Sequence, residues 1–183
     1  MFLKILIFLI NKLIYIQKKK LFHKYQSMPE LPTTNETQFC EVGHQAFRDL
    51  INTRFNVPGD LVSTAKNIYH FVRDNIKYED YSNTKKGAFR TLQEGEGNCC
   101  DQAHLLVALL RTAGIPTYYA HGTNHWWAVP CIDRQYHCDP TNRNHQFGNP
   151  NNNHGGNHNR YSLHNSLNHW FKIDLIIMTK KNF

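Results

Sequence analysis

The sequence of 183 residues predicts an α+β domain in which helices come first and an antiparallel sheet follows. Two stretches carry apolar residues at helical spacing, one from Asp60 to about Ile76 and one from Gly97 to Pro116. Short runs rich in aromatic and β-branched residues come after the second helix and are typical of strands. We expect this second helix to pack against the sheet that those strands form.

The chain begins with an apolar and basic segment that is too short and too interrupted to span a membrane. Residues 1–16 are broken by three polar residues, whereas a spanning helix needs about 20 apolar residues. Lysines at 18–20 make residues 1–20 a candidate for weak membrane association, and a leader without function is the alternative. Two prolines and polar residues then indicate a linker at 26–37.

The region before the second helix contains one strong pattern and two weaker ones. A short helix is expected at 43–52, and the apolar stripe of the helix from Asp60 predicts a core-facing element without chemistry. Residues 78–96 are polar and charged, so we predict a loop there. A loop that leads into a reactive helix would form the rim of a cleft.

The helix from Gly97 to Pro116 has chemically interesting residues at its beginning. Asn98 is suited to be its N-cap, and Gly114 and Pro116 are stop signals. At about 100° per residue, one stripe holds Cys99, Ala103, Leu106 and Leu110, and the other side holds Cys100, Asp101, His104 and Arg111. We therefore expect Cys99 to face the core or a cleft wall and Cys100 to face solvent or a polar rim. The helix dipole favours a thiolate in the first turn.

Strand-like runs follow this helix, and a long polar stretch follows the runs. The runs are at 117–121, at 125–132 and, after a turn at 133–135, at 136–138. Residues 142–168 are rich in Asn and His and predict a loop. A final strand is expected at 170–178.

The strand-like runs bring two polar residues, His125 and Asp139, into the region after the helix. A simple hairpin centred on Arg134 would put Asp139 opposite Val129, about 13 Å along the strand from His125. A direct hydrogen bond between the two side chains would then need a bulge or stagger, for which Pro130 is a suitable site.

These residue types fit nucleophilic acyl transfer, which needs a nucleophile, a base beside it and a group that orients the base. We predict Cys99 as the nucleophile, His125 as the base and Asp139 as the orienting group, with Asn142 and Asn144 as alternatives to Asp139. The backbone N–H of Cys99, at a helix start, is the expected oxyanion donor. This chemistry needs a reduced thiol and no cofactor or metal.

The order Cys, His, Asp on a helix followed by strands resembles the transglutaminase-like branch of the papain-type cysteine peptidases. The motifs are GNCCDQAHLLVALLRTAGIPTYYAHG, the His125 that lies two residues before Trp127, and Asp139 in CDPTN. The stretch from Tyr81 to Pro116 is most similar to the pseudomurein endoisopeptidases of methanogenic archaea and their viruses, and the resemblance covers roughly residues 61–148. It implies a papain/transglutaminase-like core with Cys99, His125 and Asp139 as catalytic residues. It also implies hydrolysis of an isopeptide bond in an archaeal cell-wall peptide cross-link.

Other functions remain open at this point. A transamidase or a general cysteine protease would use the same three residues. A metal-binding module is a further alternative, because His and Cys cluster at 121–138 and the tail adds more histidines; no paired spacing typical of a closed zinc site is present. A non-catalytic binding module is the last alternative, and activity lost on thiol alkylation would separate it from an enzyme.

Composition limits the partners. The net charge of +7 suits a polyanion such as a cell-wall polymer, an anionic membrane or nucleic acid, and the chain contains no recognisable nucleic-acid-binding motif. A cell-wall peptide or protein is the substrate that the resemblance implies. Five cysteines, an odd number, leave at least one thiol free in a monomer. The oligomeric state stays open.

The sequence divides into an apolar and basic segment with its linker at 1–37, a catalytic domain at 38–148, and an Asn- and His-rich loop with a C-terminal strand at 149–183. The compartment depends on the first segment. The cell envelope or the extracellular space is expected if that segment is a signal or an anchor, and the cytoplasm otherwise.

Overall fold

The computed structural model describes residues 30–149 and 161–167. The chain divides between Leu31 and Pro32, and the fold described here is that of the unit that begins at Pro32. Its helices are α1 (Gln45–Leu50), continued by a π-helical turn (Ile51–Phe55), then α2 (Leu61–Asn75), α3 (Gly87–Glu94) and α4 (Cys99–Thr112). The predictions of helices near 43–52, from Asp60 and from Gly97 are confirmed in position.

In the residues that the structure describes, five strands form two small sheets. The strands are β1 (Lys77–Tyr78), β2 (Glu96–Gly97), β3 (Thr117–Gly122), β4 (His125–Pro130) and β5 (Ser162–His164). The larger sheet is antiparallel with the order β4-β3-β5, and β1 pairs with β2 in parallel. The α+β class with an antiparallel sheet is therefore confirmed.

Helix α4 lies at the centre of the domain and contacts α1, α2, α3, β3 and β4. Every residue from Asp101 to Arg111 is buried, so the helix has no solvent-facing side along this stretch. The expectation that the Cys100 side faces solvent or a polar rim is wrong. The polar residues on that side are buried because each has hydrogen-bonding partners: His104 bonds Thr84 and Tyr119, and Arg111 donates to backbone carbonyls.

The loop predicted at 78–96 contains a helix, and that part of the prediction is wrong. Helix α3 begins at Gly87 and buries Ala88 and Thr91. Its first N–H groups are capped by carboxylates that lie far away in sequence: Asp101 accepts from Gly87, and Glu41 accepts from Ala88. A short helix stabilised by such remote caps leaves little periodic signal in its own sequence.

The predicted return strand at 136–138 is not a regular strand. Isolated residue pairs join this part of the chain to β4 and to the residue that follows β4. Ala128 pairs with Cys138, and Cys131 pairs with Gln135. Both pairs place the centre of the turn at Asp133, one residue before the expected position. A shift of one residue in the turn moves each cross-strand partner by two residues, so Asp139 comes to lie opposite Trp127 and not opposite Val129.

The segments at both ends are described only in part. Within the loop predicted at 142–168, residues 162–164 form β5 on the free edge of β3, so that part of the prediction is wrong. Thr33 and Asn35 of the expected linker bond Thr117 and Arg111 of the domain. The predicted strand at 170–178 and the candidate membrane-associated residues 1–20 lie outside the described residues. No helix within the described ranges is long and apolar enough to cross a membrane.

Candidate active site

Asn98 fixes the start of α4, as its sequence position predicts. Its Oδ1 accepts a hydrogen bond from the Asp101 backbone N–H at 3.0 Å, which is the geometry of an N-cap. Its Nδ2 donates to the carbonyl oxygens of Tyr81 at 2.9 Å and Asn83 at 2.8 Å. One buried side chain therefore positions Cys99 and ties the first turn of its helix to the segment that precedes α3.

Asp101 is a second anchor, which the sequence analysis did not single out. It is fully buried and accepts hydrogen bonds from the backbone N–H groups of Lys85 at 3.0 Å and Gly87 at 2.9 Å. Its Oδ2 also accepts from the Tyr81 hydroxyl at 2.5 Å. The sequence shows only an acidic residue in the first helical turn. It does not reveal the partners of this residue, which lie 14 to 20 residues earlier.

The structure brings His125 and Asp139 together. His125 is the first residue of β4, and Asp139 lies opposite Trp127, so the two are diagonal neighbours on one face. Such diagonal positions are about 7–8 Å apart between backbones, which two side chains can bridge. His125 Nε2 lies 2.9 Å from Asp139 Oδ2. No bulge at Pro130 is needed, since the turn at Asp133 sets the register.

Asp139 is itself held in place. Its side chain is fully buried, and its Oδ1 accepts from the backbone N–H of Thr141 at 3.0 Å and from the Thr141 hydroxyl at 2.7 Å. The Tyr69 hydroxyl on α2 lies 2.8 Å from the carbonyl oxygen of His145 and 3.3 Å from that of Asp139. These bonds orient one carboxylate oxygen toward the imidazole and satisfy the other.

The Cys99 sulfur lies at the junction of α4 and β4. It is hydrogen-bonded to the side chains of Cys100 and His125 and to the backbone N–H of Trp126. The return strand pairs with β4 only as far as Ala128. On the same side of β4, the next N–H toward the start of the strand belongs to Trp126, and this N–H points at the Cys99 sulfur. Within the described part of the chain, the N–H of Cys99 has no acceptor, so it is available to an oxyanion.

The Cys99 pKa is held well below its usual range. The Cys100 thiol hydrogen bond is the largest cause, burial opposes it, and the hydrogen bond and positive charge of His125 add to the lowering. The pKa of Cys100 is raised by the same pairing, by burial and by Asp101. Of the two adjacent thiols, Cys99 is therefore the one that carries the negative charge.

The pKa of His125 is raised to about 9. Burial disfavours the imidazolium, but the hydrogen bonds to Asp139 and Cys99 and the charges of both partners outweigh burial. Because Nε2 is bonded to Asp139, Nδ1 is the nitrogen left for the Cys99 sulfur. At neutral pH the site thus holds a thiolate–imidazolium pair oriented by a buried carboxylate.

Other candidates from the sequence have structural partners. Asn142 Oδ1 accepts a hydrogen bond from the backbone N–H of Asn144 within a turn. Among the described residues, neither asparagine is hydrogen-bonded to His125. His137 accepts from the indole N–H of Trp127 at 2.9 Å. No group of three His, Cys, Asp or Glu side chains suited to a metal ion occurs in residues 30–149 and 161–167, and the five cysteines are free thiols.

Comparison with known proteins finds a family model that matches the chain. A family model described as "Transglutaminase-like superfamily" matches residues 51–174, more than half of the chain. The comparison with curated proteins finds no match. Among solved structures, the chain is similar to a protein from Cytophaga hutchinsonii described as a "Putative Cysteine Protease", with 23% identity and a TM-score of 0.52. The likeness covers 59% of this chain but only 40% of that one, so it supports the fold alone.

Proposed function

Because the chain belongs to the transglutaminase-like superfamily, we propose that it is a cysteine peptidase that hydrolyses an amide bond with Cys99, His125 and Asp139. The observation that carries the proposal is the 2.9 Å contact between His125 Nε2 and Asp139 Oδ2, with Cys99 bonded to the same imidazole. A buried carboxylate, an imidazole and a thiol in series have the composition and order of a catalytic triad.

In the first half-reaction, the Cys99 thiolate attacks the amide carbonyl carbon and a C–S bond forms. The negative charge that develops on the carbonyl oxygen is stabilised by the N–H of Cys99 at the helix start. When the tetrahedral intermediate collapses, the C–N bond breaks and the His125 imidazolium gives its proton to the leaving nitrogen. The products are a free amine and a thioester on Cys99.

In the second half-reaction, neutral His125 takes a proton from water, and the resulting hydroxide attacks the thioester. The C–S bond breaks, Cys99 leaves as the thiolate, and the acyl group leaves as a carboxylic acid. Asp139 stabilises the imidazolium that forms again and keeps the ring in the orientation that faces the sulfur.

We further propose that the bond is an isopeptide in the peptide cross-link of pseudomurein, the wall polymer of methanogenic archaea. The support is the resemblance of the sequence from Tyr81 to Pro116 to the pseudomurein endoisopeptidases. The formal net charge of +7 suits an anionic polymer and predicts binding that weakens with salt.

The test is incubation with purified methanogen wall sacculi, followed by turbidity and by the release of free amines. Hydrolysis predicts a fall in turbidity and one new amine for each new carboxylate. A transamidase would instead incorporate an added labelled amine into the acyl product. Amine release from a general peptide but not from sacculi would contradict the wall substrate and leave the peptidase chemistry standing.

A further inference from the structure

Strand β1 leaves one residue of its backbone unpaired beside the candidate active site. In the parallel ladder with β2, the N–H groups that donate are those of Lys77, to Gly95 at 2.8 Å, and Glu79, to Gly97 at 3.2 Å. Because N–H and C=O groups alternate in direction along a strand, those of Tyr78 point away from β2. Neither has a hydrogen-bond partner among the described residues, and Tyr78 is 56% exposed.

This short edge is held rigidly to the nucleophile helix. Gln102, three residues after Cys99, donates through Nε2 to the carbonyls of Lys77 at 3.2 Å and Gly97 at 2.8 Å. Lys86 also links the two strands, because its Nζ contacts the carboxylate of Glu79, just after β1, at 2.7 Å and the carbonyl of Glu96, at the start of β2, at 3.2 Å. A two-residue strand is thereby preorganised and not left to fray.

The edge is also close to the reactive sulfur. Tyr78 is in register with Gly97, which precedes Cys99 by two residues. The pKa of Tyr78 is raised, first by partial burial of the phenol and then by the negative charge of Cys99. The unpaired backbone groups of Tyr78 therefore lie on the border of the site where the acyl transfer is proposed.

We propose that the outer edge of β1 binds the peptide substrate in an extended conformation, with the N–H and C=O of Tyr78 pairing with one substrate residue next to the scissile bond. Unpaired strand edges bind extended peptides in this way, and main-chain bonds supply affinity without selecting a side chain. This inference rests on the proposed function. It narrows the substrate class to peptides with an unmodified backbone amide near the cleaved bond.

A covalent probe tests the edge without requiring turnover. In acetyl-dialanyl chloromethyl ketone, the Cys99 thiolate displaces chloride and forms a C–S bond, and chloroacetone carries the same reactive group without a peptide. The ratio of the two labelling rate constants measures what the peptide contributes, and any change in the thiol itself divides out. Mass spectrometry assigns the label to Cys99 among the five cysteines.

Two modifications each remove one of the proposed hydrogen bonds. One of the two probe amides would donate its N–H to the Tyr78 carbonyl. Two probes, each methylated at one of the two amide nitrogens, remove these N–H groups one at a time. Tyr78→Pro removes the Tyr78 N–H, which has no internal partner to lose, and Tyr78→Ala is its matched control, since both lack the ring. Losing one such hydrogen bond should lower the rate ratio about fivefold.

The expected result is that one of the two N-methyl probes loses about fivefold on the wild-type protein, and that Tyr78→Pro loses about fivefold relative to Tyr78→Ala. If both N-methyl probes label as fast as the parent probe, the inference is overturned, and this arm holds even if the proline variant fails to fold. Equal ratios for a folded Tyr78→Pro and Tyr78→Ala also overturn it. If the probes label as expected but no amide is hydrolysed, the proposed function is rejected, whereas the inference that the outer edge of β1 binds an extended peptide stands.

Discussion

Replacing Asp139 with Asn should break the thiolate–imidazolium pair while leaving the hairpin intact. The amide has nearly the shape of the carboxylate, and its oxygen can still accept from the N–H and hydroxyl of Thr141. What it removes is the negative charge and the acceptor 2.9 Å from His125 Nε2. The change therefore probes electrostatics more than packing.

The size of the effect follows from the pKa of His125. Its rise from 6.5 to about 9 corresponds to about 3 kcal/mol in favour of the imidazolium. Burial opposes this rise, so Asp139 and Cys99 together supply more than that amount. Without Asp139, we expect the His125 pKa to fall to about 7 or below, and the rate of amide cleavage at pH 8 to fall about tenfold or more, because only about a tenth of His125 would then carry the proton that the leaving nitrogen needs.

The assay is the alkylation of Cys99 by iodoacetamide as a function of pH, read by peptide mapping. The wild-type profile should show a reactive thiolate at pH 6 and a change near pH 9, where His125 loses its proton. In Asp139→Asn, the change that follows the His125 proton should move to about pH 7 or below. Asp133→Asn is the matched control, since this exposed carboxylate on the same turn bonds Tyr136 and not His125. Identical profiles for wild type and Asp139→Asn would refute the reasoning.

Four further predictions follow from the same geometry. Cys99→Ala should abolish amide cleavage. Cys100→Ala should keep activity at pH 8 and lose more of it at pH 6, because Cys100 is the main cause of the lowered Cys99 pKa. Activity kept in Cys99→Ala and lost in Cys100→Ala would exchange the roles of the two cysteines. The wild-type rate should be bell-shaped, rising below neutral pH as the thiol ionises and falling near pH 9 as His125 loses its proton, and a single-limbed profile would contradict the acid role. Asn98→Ala should lower Tm by about 4–8 °C or more, because it removes the cap and the two hydrogen bonds that Nδ2 donates to the carbonyls of Tyr81 and Asn83; an unchanged Tm would contradict this anchoring role. Deleting residues 1–31 should lower Tm by less than about 8 °C, and a larger drop would show that the segment packs on the fold.

The parts of the fold that the sequence predicts are those with a long local pattern. Helices α2 and α4 carry apolar residues at helical spacing over 15 and 14 residues, with Asp60 and Asn98 as caps. Strands β3 and β4 are apolar, aromatic and separated by a turn. In these elements the local preference and the tertiary packing agree.

The parts that the sequence does not predict depend on distant partners. Helix α3 needs the carboxylates of Asp101 and Glu41 at its first turn, and β5 needs the free edge of β3. The buried polar side of α4 could not be distinguished from a solvated face, because only the fold supplies partners for His104 and Arg111.

The candidate site divides in the same way. The residue types and their order along the chain indicated Cys99, His125 and Asp139, but the reach between the last two depended on a turn centred one residue earlier than expected. The contribution of Cys100 and the N–H of Trp126 to the sulfur's environment left no signal in the sequence. The catalytic roles and the closeness to pseudomurein endoisopeptidases stay predictions.

The central claim is that Cys99 cleaves an amide by covalent catalysis without metal or nucleotide. The most direct measurement is amine release from an isopeptide-linked Ala–Lys substrate, with the modification state of Cys99 read by mass spectrometry in the same sample. The account predicts that activity falls in proportion to the fraction of Cys99 alkylated by iodoacetamide, needs a reductant and survives a chelator. Full activity with Cys99 fully alkylated, or activity lost on chelation and restored by zinc, would contradict it.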